Sequence, residues 1–211
     1  MSLVAKNDGS FISVPAGMHL ARCYRLVDKG TQRVEWNGEV KYQQKVMIQF
    51  EIHGENENGE PLVTRDGKPL SIAKTYTRTL SENSNLRKDL VTWRKREFTQ
   101  AEVDNFQLTQ LLGVWAMLSV IANESSGKTN IAAINPVPKS IRDAGLPNGV
   151  NELKAFDLDN PDMEMFESFS QKLKSNIMAS PEWKQYESTL KKTNQESPSF
   201  DTTGLDDTPP F

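Results

Sequence analysis

Residue types able to make or break bonds are scarce in this chain. Two histidines, His19 and His53, and one cysteine, Cys23, offer no spacing of a zinc site. Gly127-Lys128-Thr129 matches the end of a phosphate-binding loop, but Ala122 stands where the first glycine belongs. The segment also links two strand-like runs where that motif must open a helix, so it reads as a hairpin turn. Carboxylates are scattered over loops and the C-terminal stretch, with no pair that the pattern brings together. A non-enzymatic protein without metal or cofactor is expected.

Cations interleaved with aromatic rings are the chemistry that recurs. Single-stranded nucleic acid is held by cations that follow its phosphates and by rings that stack on its bases, each stack contributing about 1–3 kcal/mol. Candidates on the first two strand-like runs are Arg22, Tyr24, Arg25, Trp36, Lys41, Tyr42 and Lys45. A third run adds Lys74, Tyr76 and Arg78, alternating cation, ring, cation; Trp115 and Lys128 complete the set. Trp115 and Tyr76 fit the core as well as the surface. Trp36, beside a hairpin tip, is the ring best placed to stay exposed. Trp93 and Phe50 fall at inward positions and are excluded, and Arg94-Lys95-Arg96 reads as a solvated helix end.

These residues need a sheet to position them. In residues 42–53, Val46, Ile48, Phe50 and Ile52 alternate with Lys45, Met47, Gln49 and Glu51, the period of a half-buried antiparallel strand. Trp36-Asn37-Gly38-Glu39 supplies an Asn-Gly two-residue turn, which sets Trp36 opposite Glu39 and Val34 opposite Lys41. The run 18–27 pairs back through this hairpin. Its alternation is imperfect, and a bulge at Gly30 leaves open whether Tyr24 or Arg25 points outward. A third strand is expected over 70–80. Helical spacing follows in Leu86, Leu90 and Trp93 after an N-cap at Asn83 or Ser84, and Thr99 to Glu102 forms a capping box. Strands return at 113–123 and 128–135. The order β-β-β-α-β-β predicts a mainly β protein with helices (α+β): a five-stranded OB-fold barrel with its helix between strands 3 and 4.

Four regions follow: a disordered lead-in 1–10, the OB-fold domain 11–140, a loop and helical appendage 141–192, and a disordered acidic tail 193–211. In the appendage, Asn160-Pro161 opens a helix striped by Phe166, Phe169, Leu173 and Ile177, which must cover the barrel or a second subunit. Ser180-Pro181 opens another, carrying Trp183, Tyr186 and Leu190. The net charge of −3 hides an asymmetry: residues 151–211 hold 12 acidic and 6 basic residues, residues 1–150 hold 16 and 19. A basic body with an acidic end suits polyanion binding on one part and competition or partner recruitment on the other. No apolar run spans a bilayer, no secretory leader is expected, and one cysteine fits a reducing cytoplasm.

The last six residues, Asp206-Asp207-Thr208-Pro209-Pro210-Phe211, resemble the acidic tip of bacterial and phage single-stranded DNA-binding proteins. In those, two or more aspartates precede a terminal Pro-Phe; Thr208 and the proline doublet are the departures here. Residues 14–140 resemble the phage-encoded type, through Ala21-Arg22-Cys23-Tyr24, Asp28-Lys29-Gly30-Thr31-Gln32, Phe50-Glu51, Leu86-Arg87-Lys88-Asp89-Leu90 and Trp93-Arg94 with Arg96 and Phe98-Thr99. The resemblance implies a protein that coats single-stranded DNA in phage replication and recombination, in the cytoplasm of an infected bacterium. It also implies that Asp206, Asp207, Pro209, Pro210 and Phe211 recruit replication or recombination partners. The same acids are expected to compete for the basic groove when DNA is absent. An RNA-binding or annealing protein, and a phage adaptor that binds no DNA, are the alternatives.

Overall fold

The computed structural model describes residues 13–123 and 127–195, with side chains up to residue 190. The expected lead-in, and the tail from residue 196 with Asp206, Asp207, Pro209, Pro210 and Phe211, lie outside the described residues. Two long strands dominate, β1 (Gly17–Trp36) and β2 (Glu39–His53), joined at Asn37-Gly38 with φ of 51° and 79°. Trp36 faces Glu39 and Val34 faces Lys41, as the Asn-Gly turn predicts. Then come β3 (Ser71–Thr77), α1 (Asn85–Arg94), α2 (Gln100–Asn105), a 3-10 turn (Leu108–Leu111), β4 (Trp115–Asn123) and β5 (Lys128–Asn135). The Ser84 hydroxyl caps α1 by accepting from Arg87 N–H, and Thr99 and Glu102 form both halves of a capping box on α2. Each cap contributes about 1 kcal/mol.

The sheet runs β3-β2-β1-β4-β5, all antiparallel, with a sixth strand, β6 (Lys154–Phe156), parallel to β1. The fold is thus mixed α+β around a mostly antiparallel, open six-stranded sheet. Among the described residues no ladder joins the edge strands β3 and β5, although Lys74 Nζ lies 3.5 Å from the Ala132 carbonyl. Five strands were expected; β6 lies in the stretch read as loop, because three residues are too few to show a period.

Two irregularities set the faces of β1. The register shifts between Cys23 and Arg25, and again between Asp28 and Gly30. Before the first shift Ala21 and Cys23 point inward; after it Leu26 does, and Arg25 and Val27 turn to the outer face. Gly30, at φ 65°, takes the second. One core lies inside the curled sheet, around Ile48, Phe50, Ile52, Leu90, Trp93 and Leu118. Each fully buried large side chain there contributes about 1.5–3 kcal/mol.

A second core lies on the outer face of β1 and β2, where Val27 and Met47 meet Phe156, Phe166, Phe169, Ile177 and Trp183. These come from β6, α4 (Met163–Glu167), α5 (Gln171–Met178) and α6 (Pro181–Gln195); a short α3 (Lys139–Ala144) precedes them. The one helix expected from Asn160 is two, because Asp162 caps α4 and Ser170 caps α5. The stripe still buries as expected, with Leu173 at its margin. Leu190 is exposed instead of buried. No helix of the described residues is long and apolar enough to cross a membrane.

Candidate nucleic-acid interface

Beyond residue 30 the β1–β2 hairpin becomes a two-stranded arm with no third strand beside it: β3 pairs with β2 only from Lys45 onward. Side chains on such a ribbon alternate between two faces. Trp36, Val34, Glu39 and Lys41 share one face, and the same alternation along β2 carries it through Gln43 to Lys45. Arg33, Tyr42, Glu35 and Val40 share the other. Trp36 is 74% and Tyr42 69% exposed. The two exposed rings of the arm therefore sit on opposite faces.

Both faces carry exchangeable charge. Lys41 pairs with Glu39 at 2.9 Å and Arg33 with Glu35 at 3.1 Å, all four side chains more than half exposed. Such pairs contribute little and are screened by salt, so a phosphate can replace either carboxylate at small cost. Lys45 donates to Gln43 Oε1 and Thr77 Oγ1, and partial burial lowers its pKa. Arg78 bridges Asp28 and Gln44 at the root of the arm.

Four of the remaining candidates have structural employment, and for the two tyrosines burial corrects the expectation of an exposed stacking ring. Tyr76 is 3% exposed, and its hydroxyl donates to Asp89 Oδ2 at 2.6 Å. Burial and the Asp89 carboxylate push its phenol pKa far up, so it anchors the core and offers no stacking face. Lys74 pairs with the same Asp89 oxygen at 2.7 Å. Tyr24 is 5% exposed: it is the unpaired residue of the bulge between Cys23 and Arg25, with the Arg25 guanidinium 5.3 Å from the centre of its ring. Arg22 pairs at 2.7 Å with Glu51, a carboxylate removed from solvent. Trp115 is half-buried, its ring edge-on to His53 with centroids 4.8 Å apart. Lys128 is exposed at the start of β5, beside a hollow shared with Ser71 and Ala73.

The Arg94-Lys95-Arg96 cluster is not a free cationic patch. Arg94 and Arg96 both bind Glu102, and the Arg94 guanidinium lies 4.1 Å from the Phe98 ring. The Thr99 N–H and both arginines hold the Glu102 carboxyl down at about 2. Burial pushes the Cys23 thiol up to about 12, leaving it unreactive at neutral pH.

Two cations escaped the sequence reading. Lys29 sits inside the β1 irregularity and Lys172 on α5, and both line a cleft that Arg25 also reaches. No spacing signals that convergence, because it depends on α5 packing across the outer face of the sheet. No protein-family model and no curated protein matches this chain.

Proposed function

We propose that this protein is a non-enzymatic binder of single-stranded DNA, largely indifferent to sequence. The observation that carries the proposal is Trp36: a large ring, mostly exposed, on the same face of a projecting arm as Lys41 and Lys45. An exposed tryptophan contributes nothing to the core, and a ring beside a line of cations suits an unpaired strand, whose bases can stack while its phosphates are neutralised. The strand order β3-β2-β1-β4-β5, with helices between the third and fourth strands and edges that approach, supports reading the body as an OB-type barrel.

The acidic sequence at 206–211, with Phe211 and the Pro doublet, supports a second role in recruiting replication or recombination proteins. A partner pocket with an apolar hole and a basic rim would take the ring and the acids together, and the prolines lower the ordering cost. The test of DNA binding is tryptophan fluorescence during titration with oligo-dT. Quenching is expected in the native chain, with weaker binding and lost amplitude in Trp36→Ala. Full affinity in a folded Trp36→Ala protein removes the ring from the site.

A further inference from the structure

A cleft of about 430 Å³ lies between the outer face of β1–β3 and the start of α5. Arg25, Lys29 and Lys172 line it, over a floor that includes Met47 and Leu173, and no carboxylate is among its lining residues. Within the described residues none of these three cations pairs with an acid, whereas Arg22, Lys74, Arg78 and Arg94 all do. The Arg25 Nε is buried without a hydrogen-bond partner. Burial lowers the pKa of Lys29, and the neighbouring charges of Lys45 and Lys172 lower it further. Like charges gathered at a partly desolvated place destabilise the free protein, and an anion seated among them relieves that repulsion.

We infer that this cleft holds the phosphodiester backbone of the bound single strand, with Arg25, Lys29 and Lys172 as its phosphate ligands. The inference rests on the single-strand reading above. A polyanion is favoured over a small ion by continuity: Met47 and Gln49 of the cleft belong to the same face of β2 as Lys41 and Lys45. That face leads to Trp36, so one strand reaches the ring at the arm's tip and the cations under α5. The Ser170-capped N-terminus of α5 adds its positive dipole end to the cleft.

The test compares oligo-dT affinity of the full chain, Lys172→Gln, and Lys29→Gln/Lys172→Gln over a range of salt. Removing two phosphate contacts should weaken binding on the order of tenfold at low salt and flatten the log–log salt slope by roughly 1.4, at about 0.7 per contact on a single strand. Exposed Lys172 alone should give about half of that change in slope. Thermal stability should hold or rise, because repulsion is removed, and Trp36 should still quench at saturation. Unchanged affinity and slope in the double variant, with the native chain binding normally, overturns the cleft and leaves the arm standing. Weaker binding with an unchanged slope also overturns it. A native chain that ignores oligo-dT overturns both this inference and the reading beneath it.

Discussion

Arg22 donates its Nε–H to Glu51 Oε1 at 2.7 Å, and the Glu51 side chain has no solvent exposure at all. The carboxylate also accepts N–H groups from Val150 and Asn151 and the Asn151 amide, so it ties β2 to a segment 100 residues later. Arg22 returns a bond to the Asn151 carbonyl. The pair is a clasp between sheet and appendage.

Breaking that clasp should be costly. Burial opposes charge on Glu51, but bonds from Asn151, His53 and Val150 outweigh it and hold the carboxyl below its ordinary range. A depressed carboxyl stabilises the fold above the unfolded value, near pH 4.3, and that contribution is lost as pH falls through the folded pKa. Glu51→Gln, which leaves Arg22 nearly buried without its counter-charge, should lose about 3 kcal/mol at pH 7. Its acid-unfolding curve should also be shallower below about pH 5. Urea melts at several pH values measure both.

Gly30 is expected to resist substitution. A Cβ there would lie 2.6 Å from Ser180 Cβ and 2.8 Å from Glu182 Oε2, at a φ that disfavours any side chain. Glu182 receives both the Thr31 N–H and the Thr31 hydroxyl, docking α6 on β1. Gly30→Ala should cost more than about 1–2 kcal/mol, the backbone component alone. A denaturation midpoint within error of the native chain would contradict this packing.

Tyr76→Phe separates core from site. Losing a hydrogen bond to a carboxylate costs about 1.5–3 kcal/mol of stability, while affinity for oligo-dT should stay unchanged. Weakened binding at native stability would return Tyr76 to the interface.

Much of this fold was readable because it rests on short-range rules. Asn37-Gly38 set the hairpin register, Ser84 and Thr99 set two helix starts, and the alternation of Val46, Ile48, Phe50 and Ile52 set the inner face of β2. The site was less readable because a side chain's direction depends on bulges. One extra residue at Tyr24 reverses the faces of β1 from Arg25 onward and turns Arg25 toward α5, while Tyr24 itself, a ring that composition marks as a stacker, is buried. Lys172 lies more than 140 residues from Arg25 and Lys29, and no local pattern joins them.

The arm's two rings should contribute unequally. Trp36 shares its face with Lys41, Lys45 and the cleft, whereas Tyr42 shares the other with Arg33. Trp36→Ala should cost about 1–3 kcal/mol of binding, and Tyr42→Ala distinctly less. Each should change stability by no more than about 0.5 kcal/mol. Equal losses would place the strand around both faces.

Direct titration of the purified chain with labelled oligo-dT, at two salt concentrations and with excess duplex as competitor, is the measurement closest to the central claim. Saturable binding is predicted, weaker at the higher salt and little disturbed by duplex. Absence of binding in dilute buffer, or displacement by duplex as readily as by unlabelled single strand, would contradict it.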